Sequence, residues 1–95
     1  MQLTFTATVF EWRGPAPFYF AAVPDKQAEA IREISRRVTY GWGVIPCKVK
    51  VGKTELSTSL FPKNGGYLVP LKDALRKPEG IVVGAEIKIT VSIDV

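Results

Sequence analysis

The 95-residue chain contains no histidine and a single cysteine. Without histidine, the Ser-His and Cys-His nucleophile pairs are excluded. The commonest zinc ligand is missing too, and one thiol cannot replace four, so neither a metal nor a cofactor is expected. Cys47 has no partner for an internal disulfide. In "PCKVKV" it falls on an inward position, where free cysteine packs as a small, inert apolar group. No apolar run approaches the ~18 residues of a membrane helix. The opening "MQLTFTATVF" alternates polar and apolar residues and lacks the basic start of a signal peptide. No membrane association is therefore expected, and the cytoplasm is the expected compartment. The nine carboxylates are scattered, with no pair spaced for glycosidase or protease work. With no activated nucleophile in view, the chain reads as a protein that is not an enzyme.

What is present describes a folded domain. A hydrophobic content of 46% with 23% charged residues is too apolar for disorder. One domain over residues 1–95 is expected at this length. The net charge of +4 is unevenly placed. Between Lys48 and Lys77, seven basic residues face two acidic ones, a local +5, while the remainder carries six basic and seven acidic residues. This segment is either a solvated lysine-rich edge or a surface that attracts anions.

Hydrophobic periodicity predicts mostly strands. Leu3, Phe5, Ala7 and Val9 share one face, after which the bulk moves to even positions at Phe10 and Trp12, predicting a bulge or a sharp coil in a long strand. "FYFAAV" is apolar on both faces, as expected where a helix covers a sheet. Ala28, Ile31, Ile34 and Val38 form one helical stripe, predicting a helix over 25–38 with Gly41 as its cap residue. "CKVKV" and "TELSTSLF" read as strands around the Gly52-Lys53 turn. "PKNGG" reads as a turn, "YLVP" as a short strand and "LKDALRK" (71–77) as a short helix. The last strand alternates from Ala85 to Val95. These elements predict a mainly β fold: a small six-stranded, mostly antiparallel, closed or nearly closed barrel, with the 25–38 helix over one opening.

Two stretches, "FTATVFEWRGPAPFYFAAVPDKQAEAI" and "GWGVIPCKVKVGKTELSTSLFPKNGGYLVPLKDALRKPEGIVVGAEIKITVSID", resemble the bacterial domain of unknown function 1905. The resemblance implies a six-stranded barrel with a helix after the second strand, sometimes beside a bacteriocin-protection (YdeI/OmpD-associated) domain. It implies no activity. In the family pattern an acidic residue follows the glycine before the last strand; here Ala85 stands there and Glu86 comes next. A shorter stretch, "YLVPLKDALRKPEGIVVGAEIKITV", resembles the swapped-hairpin unit of AbrB-type transcription factors, which are dimeric and bind DNA.

"PKNGG" lacks the spacing and the Lys-Ser or Lys-Thr of a phosphate loop, so its glycines are turn residues. A ligand site is expected instead where hydroxyls and cations converge on a barrel rim. The candidates are Thr58, Ser59, Lys72, Arg76 and Lys77, with Trp42 between two glycines at a pocket mouth. Such a rim suits a small anionic molecule or an acidic segment of a partner protein, since a guanidinium takes a carboxylate or phosphate through paired hydrogen bonds. The alternative is nucleic-acid binding by the basic 48–77 segment, with Lys53, Lys63, Arg76 and Lys77 on phosphates and Tyr67 stacking on a base. The pattern fixes no oligomeric state.

Overall fold

A computed structural model describes residues 1–13, 18–38 and 43–94, with the backbone alone at 36–38. Six strands and two helices follow in the order β1 (Gln2–Trp12), β2 (Phe18–Ala22), α1 (Asp25–Val38), β3 (Ile45–Val51), β4 (Thr54–Lys63), β5 (Gly66–Pro70), α2 (Asp73–Glu79) and β6 (Glu86–Ser92). The strands close into an antiparallel barrel in the order β1-β2-β5-β4-β3-β6. Its interior takes the inward residue of each alternating pair: Phe5, Ala7 and Val9 from β1, Cys47, Val49 and Val51 from β3, Ile89 and Val91 from β6. Lys48 and Lys50 point outward, as period 2 requires.

The helices close opposite ends. Ala28 and Ile31 of α1 are fully buried and Ile34 is half-buried. The helix leaves β2 beside the start of β5, where the Val23 N–H donates to the Tyr67 carbonyl and Arg32 donates to that of Gly65. The second helix follows the far end of β5. Glu79, its last residue, accepts a 2.6 Å hydrogen bond from the Thr54 hydroxyl beside the Gly52-Lys53 turn. Gly52 sits at φ +59° and a side chain there would run into the Glu79 carboxylate, so the bare turn makes room for this latch.

Three local expectations need correction. The short helix begins at Asp73 rather than 71, because Leu71 still donates its N–H to Tyr19 as an extension of the β2–β5 pairing and Lys72 is extended. It runs through Pro78 and ends on a left-handed Gly80, with the Ile81 N–H bonded back to the Arg76 carbonyl. The bulge expected in β1 is absent. The strand keeps its phase and changes partner, from β6 up to Thr8 to β2 from Val9 onward. The extra residue lies opposite, where Val9 bonds both Gly84 and Ala85, with Gly84 at φ +88°. Phe10 and Trp12 consequently stand on the outer wall. No described helix covers β2 either: Phe18 is 57% exposed, and α1 packs on β3 and β5 instead.

Candidate functional site

An opening in the described surface lies between β4 and the end of β5, and its cause can be traced to one residue. The Asn64-Gly65 turn closes a two-residue hairpin, so Lys63 faces Gly66, Pro62 faces Tyr67 and Phe61 faces Leu68. Continuing that register would set Ser59 against Pro70, which has no N–H to donate. The ladder stops there, and Pro70 stays with β2 opposite Phe20. A cleft of about 840 Å³ occupies the gap. Ser57, Thr58, Ser59 and Phe61 form one wall. Phe18, Tyr19 and Phe20, then Pro70 through Asp73 and Arg76, form the other.

The cleft is amphipathic. On the outer side, the Phe20 and Phe61 rings meet edge-on with centroids 6.3 Å apart, and Phe18 lies 6.4 Å from Phe20. On the side toward α2, the polar groups are two cations, one carboxylate, the three Ser/Thr hydroxyls and that of Tyr19. Arg76 is held from several directions. Its guanidinium carbon lies 3.9 Å from the centre of the Tyr19 ring, its Nε donates to the Leu71 carbonyl at 2.9 Å, and an Nη atom pairs with Asp73. Lys72 differs: it is exposed and makes no ion pair among the described residues, and its Nζ lies 3.5 Å from the Ser57 carbonyl oxygen. Lys72 is thus the uncompensated charge of the site.

The rim expected from the sequence is therefore partly assembled. Thr58, Ser59, Lys72 and Arg76 line one cleft. Lys77 does not; it projects into solvent with its Nζ 4.0 Å from Asp73. The expected sharing of a helical face by Lys72 and Arg76 is replaced by a different geometry, because Lys72 precedes the helix. Trp42 lies outside the described residues. The alternative set gathers only in part: Lys63 and Tyr67 line one depression, which Lys53, Arg76 and Lys77 do not share. Tyr67 is buried and offers no face to a base, and Lys63 lies over the Trp12 ring at 3.2 Å. Lys53 and Lys63 flank opposite ends of β4, roughly 30 Å apart at the usual strand rise. The aromatic wall is what sequence reasoning missed, although the bulk on even positions 10, 12, 18 and 20 was its signal.

Other chemistry is quiet. Burial pushes the Cys47 thiol up to about 11, so it is protonated at neutral pH. Among the described residues, no cluster of cysteine and carboxylate side chains fits a metal ion, and no helix is long and apolar enough to cross a membrane. No curated protein and no solved structure matches the chain significantly. A family model does match, that of the domain of unknown function DUF1905, over residues 5–91. Such a match takes in every strand and both helices at least in large part, and the chain belongs to the DUF1905 family.

Proposed function

We propose that this barrel is a non-catalytic binding module whose ligand is anionic, either a small molecule or the acidic segment of a partner protein, held in the cleft between β4 and α2. The observation that carries this reading is the meeting of Lys72 with three hydroxyl residues on one side and three phenylalanine rings on the other. An anionic head would displace only the long Lys72–Ser57 contact, while an apolar body would cover rings that are otherwise wet. Because Asp73 already neutralises Arg76, that guanidinium shapes the site more than it attracts charge. A free, buried Cys47 suits a reducing compartment, which supports a cytoplasmic setting.

The test is a thermal-shift series with acetate, phosphate, benzoate and phenyl phosphate. Phenyl phosphate and benzoate should raise the melting temperature more than phosphate and acetate, and Lys72→Ala should remove most of the gain. Lys72 is exposed, so this variant keeps its fold, whereas Arg76→Ala would also remove the Tyr19 stacking. Equal responses from wild type and Lys72→Ala would dismiss the site.

A second reading has one observation in its favour. Trp12, Phe18 and Phe61 are exposed near Lys63, and single-stranded nucleic acid uses aromatic platforms with adjacent cations. Retention of oligo(dT) or poly(U) at low salt that falls steeply with added salt would support it. No retention at 20 mM salt, an ordinary low-salt condition for such binding, would end it.

A further inference from the structure

The cleft is bordered by the edge of a strand, not by its face. Ser57, Thr58 and Ser59 all line it, although successive residues of a strand point to opposite faces. Only an edge presents three in a row. The direction of the backbone groups follows from the two flanking hairpins. Around the Gly52-Lys53 turn, Val51 and Thr54 close a two-residue loop, and closing pairs exchange backbone hydrogen bonds. Counting along the register, Leu56, Thr58 and Leu60 then bond to β3, and Ser57 and Ser59 turn their N–H and C=O groups away from it. The Asn64-Gly65 hairpin gives the same parity, since Lys63 and Phe61 bond toward β5. Ser57 and Ser59 therefore turn their backbone groups toward the cleft, Ser57 beyond the end of β5 and Ser59 across from Pro70, its last residue. Pro70 offers Ser59 no N–H there, and the Lys72 ammonium approaches the Ser57 carbonyl where a strand donor would stand.

Resting on the reading of this cleft as an anion site, we infer that its ligand is an extended peptide that adds to the β4 edge at Ser57–Ser59, with apolar side chains at alternate positions against Phe18, Phe20 and Phe61 and a carboxylate at Lys72. Strand addition explains why a backbone edge, an apolar wall and one free cation occur together. The edge supplies main-chain affinity, the rings select alternate side chains, and the cation fixes direction and register. A compact anion would use the cation and leave the edge idle.

The experiment uses random nonapeptides displayed on phage, with phenyl phosphate as the small-anion comparison. Selected sequences should alternate apolar residues and contain Asp or Glu. Synthetic versions should slow amide exchange at Ser57. N-methylation at every second amide should weaken binding at least tenfold, with little effect at the intervening ones. Ser57→Pro removes an N–H that faces the cleft beyond the end of β5 and leaves the β3 ladder intact, so it should abolish peptide binding while phenyl phosphate still binds. Phenyl phosphate binding without any selected peptide would overturn strand addition and leave the anion site standing. Selected peptides that tolerate N-methylation at all positions, or bind Ser57→Pro as well as wild type, would overturn it too. If neither probe binds, both readings fall.

Discussion

Gly52→Ala tests how the second helix, and with it the cleft, is held. Two effects add at this position. The backbone sits at φ +59°, which costs a residue with a Cβ about 1–2 kcal/mol. The new methyl would also run into the Glu79 carboxylate, whose Cδ lies 2.8 Å from the ideal Cβ position, and would push that carboxylate off the Thr54 hydroxyl. A hydrogen bond to a charged acceptor contributes roughly 1.5–3 kcal/mol, and about 1–2 is reasonable for a partly exposed one. Gly65→Ala is the control. It has φ +79° and nothing within 4 Å, so it should lose only the backbone component. Gly52→Ala should therefore cost about 2–4 kcal/mol and Gly65→Ala about 1–2. The difference corresponds to several degrees in melting temperature for a domain of this size. Urea unfolding of the Gly52→Ala, Glu79→Ala double-mutant cycle isolates the latch. On the Glu79→Ala background, Gly52→Ala should fall to the cost of Gly65→Ala, leaving a coupling of about 1–2 kcal/mol. Equal costs for the two glycine variants in the wild-type protein, or a coupling below about 0.5 kcal/mol, would refute the latch.

Three further outcomes are expected. Ile31→Asp and Ile89→Asp should each lose several kcal/mol, on the order of 3 or more, because both bury an unpaired charge at sites with no exposure, whereas Lys88→Asp on the outer face should be tolerated in the same denaturation assay. Leu75→Ala, at the one fully buried position of α2, should cost about 2–5 kcal/mol and weaken cleft binding in step, since it loosens the helix next to Lys72. The Cys47 thiol is raised in the fold from 9.0 to about 11, so its contribution is complete below pH 9 and is lost as pH climbs toward 11; Cys47→Ala should show a shallower loss of stability across that window, and an equally steep one would contradict the burial.

The site was readable in its ingredients but not in its arrangement. "STS" with Lys72 and Arg76 pointed to hydroxyls and cations at a rim, and all five of those side chains do share a cleft. Their roles changed because of neighbours far away in sequence. Tyr19 stacks on Arg76, and Asp73 turns to Arg76 rather than Lys77 as its closer partner. Neither contact follows from composition. The aromatic wall was visible as misplaced bulk at Phe10, Trp12, Phe18 and Phe20. Periodicity alone reads such bulk as a bulge or a covered sheet, because it does not say which face is the outside.

The sequence by itself determined what depends on short-range pattern. Period-2 alternation made Leu3–Val9, Cys47–Val51 and Ile87–Val91 half-buried strands, and one stripe of Ala28, Ile31 and Ile34 made a single helix laid on a barrel. Those features are local, since the pleat and the helical turn fix which neighbours share a face. Only the tertiary structure decided the strand order β1-β2-β5-β4-β3-β6, the change of partner halfway along β1, and the place where the β4–β5 ladder fails. A strand's own pattern carries its parity but not the identity of the strand beside it. Pro70 removes a hydrogen bond wherever it sits, and only the register that brings it opposite Ser59 turns that missing donor into a cleft.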